Sequence, residues 1–314
     1  MHKLTVIALL LGCILFCSGS APALRQHPDK PIVSFTFDDG VTNDICGVPF
    51  FEWNAMILQS LDEAGIKAVF FVTGSNKTDE KGRYLLQSWD QKGHSIANHS
   101  FTHPSFAGDK KTIQNLETEL RKTDSIIAAY NHYKRLFRFP YLKEGNTREK
   151  VDGMREVLHK YGYKNGYVTI DASDWYVDSR LRKQLQERGM ATVNVEKFRD
   201  FYLDHILERA RFYEDLSYQM NGRHIRHTLL LHHNLTSALF LDDLIKRFKA
   251  EGWDVTDAEK AFQDDIFNAS PQVLPAGESL IWSLAKASGK YEKVLRYPAE
   301  DSQYEETRMD ALGL

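Results

Sequence analysis

Beyond residue 30 the chain repeats one pattern: an amphipathic stretch, a glycine, then a short apolar strand. Leu58–Ala64 ends at Gly65 before 67–72, and Tyr84–Lys92 ends at Gly93 before 94–97. Val151–Tyr161 ends at Gly162 before 163–170, and Leu241–Glu251 ends at Gly252 before 253–255. A glycine just past a helix supplies the left-handed residue that closes it. Strands alternating with helices imply βαβ units and a mostly parallel sheet or barrel. Thr256 and Glu259 have capping-box spacing and predict another helix start. Residues 180–222 are charged and helical in period, and read as a helical insertion. Residues 263–314, with Pro271, Pro275 and Gly277, read as a C-terminal wrap. One domain over 24–262, with 263–314 packed on it, is the expected organisation.

The N-terminus predicts export. Met1-His2-Lys3 precedes an apolar run from Leu4 to Phe16, and small residues at Ser18/Ser20 and Ala21/Ala23 fit a cleavage site. The run is shorter than the roughly 20 residues a spanning helix needs, so residues 1–23 read as a secretory signal. A retained anchor is the weaker alternative, and Cys13 stands early for a lipoprotein site. Cleavage would remove Cys13 and Cys17, leaving Cys46 without a disulfide partner and the fold resting on its core. The expected address is periplasmic or secreted. With 40 basic residues against 43 acidic ones, net −3, charge gives no case for a nucleic-acid or anionic-membrane partner.

The chemistry-bearing residues lie at predicted strand ends. The strand 31–37 runs into Asp38-Asp39-Gly40, and two adjacent carboxylates leaving a buried strand need a cation, or one of them works as a base. Alone, an Asp/Gly turn is the simpler account. After the strand 94–97 come Asn98-His99-Ser-Phe-Thr-His103. Histidines four apart share one side of a helical turn and can present two nitrogens to one metal. Ser100 stands where a zincin motif needs Glu, so a base must come from Asp38 or Asp39. Further polar clusters follow: Arg138-Phe-Pro140-Tyr141, Asp171-Ala-Ser-Asp174-Trp175 and His232-His233-Asn234. Five such clusters at the carboxyl ends of strands mark where a parallel βα architecture assembles its site.

In order, Thr36-Phe-Asp-Asp-Gly40, His99-Ser-Phe-Thr-His103, Arg138-Phe-Pro-Tyr141, Asp171-Ala-Ser-Asp-Trp175 and Leu229-Leu-Leu-His232 resemble the five motifs of the polysaccharide deacetylases, carbohydrate esterase family four. The resemblance covers residues 30–262, and Leu229 to Ala261 looks like an exported bacterial branch. Two departures are His233, where Asp is common, and a longer insertion before the fifth motif. The resemblance implies an α/β fold, a distorted (β/α) barrel of seven or eight strands with a helical insertion before the last catalytic strand. It implies removal of acetyl groups from N-acetylglucosamine-type units of a polysaccharide or oligosaccharide.

It also implies roles. Asp39, His99 and His103 would bind a divalent metal ion, zinc by ligand type. Asp38 would be the general base, held ionised by Arg138, and the Tyr141 backbone N–H would face the oxyanion. His232 would protonate the leaving amine, paired with Asp174, or with Asp171 as the fallback. Trp175, Pro140 and Tyr141 would contact the sugar, with Phe101 a further aromatic candidate. Three other readings remain open: O-acetyl ester or small-amide hydrolysis at the same site, an inactive carbohydrate-binding homologue, and an iron oxygenase built on the same three ligands. The last leaves Asp38, Arg138 and His232 without work.

Overall fold

A computed structural model of the protein describes residues 29–108, 110–296 and 302–314. The predicted signal segment, with Cys13 and Cys17, lies outside them. The first half runs β1 (Ile32–Asp39), α1 (Phe50–Ala64), β2 (Val69–Val72), α2 (Glu80–Gln91), β3 (Ser95–Asn98), α3 (Ile113–Ile127), β4 (Tyr133–Phe137), β5 (Lys143–Gly145) and α4 (Arg148–Lys160). The second runs β6 (Lys164–Asn165), α5 (Asp174–Arg188), α6 (Val195–Asn221), β7 (Arg226–His232), α7 (Leu235–Ala250), β8 (Asp254–Val255), α8 (Ala258–Ala261), β9 (Ala276–Gly277), α9 (Leu280–Ser288) and α10 (Gln303–Leu312). The helix stops follow the glycine rule: Gly65 closes α1 at φ 70° and Gly252 follows α7 at φ 85°.

Seven strands form one parallel sheet in the order β6-β4-β3-β2-β1-β7, with β8 beside the start of β1. The predicted single strand 163–170 is two pieces with different partners, and this closes the curl. Its first part pairs with β4, where Gly166 N donates to Phe137 O at 2.7 Å. Its last part pairs with β7 through Ile170 and Leu229, Leu230 N donating to Ile170 O at 3.1 Å. The crossing point needs a glycine, because a Cβ on Gly166 would stand 2.4 Å from the Phe71 ring. The sheet is therefore a distorted (β/α) barrel whose two edges meet through one short segment.

Alternation along β1 separates core from site. Val33, Phe35 and Phe37 point outward into the main apolar cluster, where Phe35 meets Phe248 and Phe37 meets Trp89 edge to face. Each such buried side chain stabilises the fold by about 1.5–3 kcal/mol. Ser34, Thr36 and Asp38 point into the barrel, where the first two hydroxyls donate to His227 O and Leu229 O on β7. The β1 side of the barrel interior is thus polar and tied down, beside an apolar patch of Val69, Phe71 and Ala97.

Two local expectations fail for identifiable reasons. The Thr256–Glu259 spacing caps nothing: Asp257 stands before a four-residue α8, its carboxylate accepts from Lys67 N, and Glu259 is taken by Ser95 and Lys134. The helical insertion begins at Asp174 rather than 180, so the fourth motif opens α5 directly. Within 263–314, β9 pairs antiparallel with β5, Leu280 N donates to Val168 O, and α10 buries Glu305 and Met309.

Candidate active site

The two histidines do meet, but not on a helix. Ser100 and His103 take left-handed conformations, φ 67° and 56°, which bend 99–103 into a tight loop after β3. Asn98 Oδ1 accepts from Ser100 N, Ser100 Oγ accepts from His103 N, and the Glu119 carboxylate accepts from Phe101 N and Thr102 N. Short polar side chains that satisfy backbone donors locally favour turns over helix. Asp39, itself at φ 80°, brings its Oδ1 to 3.8 Å from His99 Nε2 and 3.5 Å from His103 Nε2. One donor atom from each of the three lies within 4.8 Å of the others. Left-handed non-glycine residues cost about 1–3 kcal/mol and gather where function demands a geometry.

The donor set fits a cation. His99 Nδ1 donates to Arg138 O at 2.9 Å, which fixes the tautomer and leaves Nε2 a bare lone pair. Burial holds both imidazoles down at about 4, so both are neutral at ordinary pH, the form a metal ligand needs. Burial would raise the Asp39 carboxyl, but the charges around it, His232 first, hold it below its usual value. Two neutral nitrogens and one carboxylate suit a divalent ion.

Asp38 sits one residue earlier and faces the barrel interior, 2% exposed. Its Oδ1 accepts from Arg138 Nη1 at 2.5 Å, and Arg138 also donates to Thr36 Oγ1 and Gly166 O. The guanidinium lies over Phe71, 3.8 Å from the ring centre, so it is held on several sides at once. Burial drives the Asp38 carboxyl up to about 6, against the pull of Arg138 and His232. A carboxylate poised there is suited to take a proton near neutrality. Replacing Arg138 with Met strands that charge in the barrel, so we expect a loss of about 3–5 kcal/mol. The shift in urea midpoint measures it, and a loss under about 1 kcal/mol would mean that Asp38 is not held as a buried ion.

His232 is the register partner of Asp38 across β1 and β7. Its Nδ1 is 2.7 Å from Asp174 Oδ1, while its backbone N and Asn234 Nδ2 donate to Asp174 Oδ2. Burial would lower the imidazole, but Asp174 outweighs it, with Asp39 and Asp38 adding, and the pKa is raised to about 10. Asp171 lines the cavity, and its carbonyl accepts from Arg209. Of the two acids left open by the sequence, Asp174 lies at 2.7 Å from the His232 ring.

These groups line one cavity of about 330 Å³, with Tyr141, Leu142, Trp175 and Leu230. Tyr141 is half exposed and leans on His103, ring centres 4.6 Å apart. Trp175 is partly exposed in the wall rather than part of the core. Pro140 is buried and Phe101 lines a neighbouring groove beyond His103; neither is among the residues that line this cavity. His233 turns away into the aromatic core, against Trp53, with Nε2 donating to Asn54 Oδ1. Burial pushes it down to about 3, so its place is structural.

The sequence assigns no role to Thr36, Asn234 or Lys77. Strand alternation puts Thr36 on the Asp38 face, and that signal is legible. Lys77 is not, since Ser75-Asn-Lys-Thr-Asp79 reads as a solvated turn. Yet Lys77 is buried, donates to Ser75 O, and is lowered by burial to about 8 despite the fields of Asp39 and Asp79.

Residues 25–166 match the family described as polysaccharide deacetylase. The chain is similar to the peptidoglycan-N-acetylglucosamine deacetylase of Bacillus cereus, 32% identical over 114 residues, 36% of this chain and 37% of that protein. It is also similar to the peptidoglycan-N-acetylmuramic acid deacetylase PdaA of Bacillus subtilis, 23% identical over 223 residues, 70% of this chain and 67% of that protein. The matches thus span between 37% and 67% of these curated relatives. Among solved structures, a carbohydrate esterase family four pseudoenzyme of Bacillus anthracis shares the fold. Its TM-score is 0.51 at 21% identity, over 76% of this chain and 67% of that one. The solved neighbour thus shares the barrel, and the match to the polysaccharide deacetylase family covers residues 25–166 of this chain.

Proposed function

We propose that the protein is a metal-dependent deacetylase that hydrolyses the N-acetyl amide of N-acetylglucosamine-type units in a glycan, releasing acetate. The observation that carries this reading is one cavity holding three kinds of group at once. They are a two-histidine, one-carboxylate donor set, a buried carboxylate raised to about 6 by burial, and an imidazole raised to about 10. Similarity to relatives named as peptidoglycan deacetylases points the same way.

Asp39, His99 and His103 would hold the ion, for which zinc is the natural choice among exported hydrolases. Bound there, it supplies Lewis acidity at the acetyl carbonyl and makes water easier to deprotonate. Asp38 takes the proton of the attacking water, with Arg138 aiming its carboxylate. The Tyr141 backbone N–H donates to the oxyanion that develops on the acetyl oxygen. His232, cationic beside Asp174, gives its proton to the amine nitrogen as the C–N bond breaks. Trp175 and the Tyr141 ring flank the sugar. A near-neutral chain suits an uncharged amide substrate.

The leader-like segment 1–23 supports a periplasmic or secreted site of action, where peptidoglycan, chitin-type oligosaccharides and exopolysaccharides are met. Among the described residues no helix is long and apolar enough to cross a membrane. Acetate release across a panel of these glycans, with and without chelator, tests the reading. Chelation is expected to abolish release and zinc to restore it; release untouched by chelator would end the metal-dependent account. Binding of a glycan without any release would favour an inactive carbohydrate-binding homologue instead.

A further inference from the structure

Tyr141 and Leu142 are consecutive left-handed residues, φ 56° and 55°, a conformation that neither side chain favours. Inside the turn, Leu142 N is tied back to Phe139 O at 2.9 Å. Further grip comes from far along the chain. Leu142 O accepts from Glu278 N at 3.2 Å, and the next residue, Lys143, pairs with Gly277 in the β5–β9 ladder. The Lys143 ammonium meets the Glu278 carboxylate.

The gripping segment is itself bolted to the barrel where the sheet closes. Ser279 Oγ donates to Thr169 O at 3.0 Å and Leu280 N to Val168 O at 2.7 Å. Ser283 Oγ donates back to Gly277 O, bracing the segment on α9. Gly277 is at φ 136°, and a Cβ there would lie 2.1 Å from Leu142 O, so only glycine permits this approach. The gripping residues 277–283 fall outside the matched residues 25–166. They belong to the C-terminal part of this chain.

We propose that Gly277 and Glu278 are positioning residues, a clamp that holds the Tyr141 turn against the barrel wall so that its backbone N–H meets the acetyl oxygen. The proposal rests on the deacetylase reading for its chemistry and on the 277–283 contacts for its geometry. An oxyanion donor contributes only when it is in place before the charge develops, and a displacement near 1 Å is worth about 10²-fold. Binding of the glycan is shared between the Tyr141 ring, Trp175 and other walls of the cavity, so it depends on the clamp less than turnover does.

The test compares Gly277→Ala, Lys143→Glu, Glu278→Lys and the double charge reversal with the wild-type protein. Readouts are kcat, KM, metal content, melting temperature and amide hydrogen exchange across residues 140–145. Gly277→Ala is expected to lower kcat by about 10²-fold with KM within about twofold, and to speed exchange in that stretch. Each single charge reversal should lower kcat less, and the double reversal should recover it. A folded Gly277→Ala with faster exchange but unchanged kcat overturns the proposal. Should that variant not fold, failure of the double reversal to recover kcat overturns it instead. If the wild-type protein releases no acetate from any glycan, the deacetylase reading falls by itself. The clamp is then judged on exchange alone, and unaltered protection of 140–145 in the variants removes it.

Discussion

Asp38→Asn is expected to keep its metal and lose about 10²–10⁴ in kcat, the usual worth of a general base. The amide preserves volume and a hydrogen-bonding oxygen for Arg138, which stands 2.5 Å from Asp38 Oδ1. What it cannot do is accept a proton. Asp38 is also outside the donor set: Asp39 reaches both histidine Nε2 atoms, whereas Asp38 lies 3.7 Å from His99 alone. Asp39→Asn should therefore lose metal along with activity, and metal content separates the two variants. A near-wild-type Asp38→Asn would mean that the two carboxylates exchange roles. The substitution leaves Arg138 cationic and buried without its counter-charge, a cost of up to about 3–5 kcal/mol, so turnover is compared well below the variant's melting temperature.

His232→Ala is expected to slow amide cleavage more than cleavage of a matched acetyl ester. An amine is a poor leaving group without a proton, while an alcohol departs more readily. Equal losses on both substrates would remove His232 from the acid's role. The pH profile adds a second arm. Asp174 is the main influence raising the imidazole to about 10, above the ordinary 6.5, so the acid form persists through neutrality and is lost as pH rises toward 10. Asp174→Asn should move that basic limb downward, and an unmoved limb would assign it to another group. The linkage has the same sign for stability. The His232–Asp174 pair contributes fully below the unfolded value near 6.5 and fades as pH rises through the folded one.

Much of this site is legible in the amino-acid sequence, because a parallel βα architecture puts every functional group at a strand's carboxyl end. Asp38, Asp39, Arg138, Asp174 and His232 form one set on that ground and on the family resemblance. The histidine pair is a pair, as its spacing suggests, but for a different reason. Four-residue spacing points to a helical turn, whereas Asn98, Ser100 and Glu119 bind the backbone of 99–103 into a left-handed loop. Glu119 comes from α3, and no local pattern announces it. His233 looks like a departure within the site, but strand alternation sends it to the opposite face from His232. Lys77 shows the limit from the other side. A lysine in a polar loop carries no sign of burial.

The amino-acid sequence alone determined the main alternation of strands and helices, the face the first strand offers and the residue types available at the strand ends. These follow from periodicity and turn chemistry, which are properties of neighbours in the chain. Only the tertiary structure decided which acid pairs with His232, which aromatics border the cavity and what holds the Tyr141 turn. Asp171 and Asp174 are three residues apart, yet only the start of α5 against β7 brings one of them to 2.7 Å. Gly277 follows Leu142 by 135 positions, and nothing local relates them until β9 lies along β5. Such contacts depend on the closure of the barrel, a property of the whole chain, and that is why a reading of neighbours stops short of them.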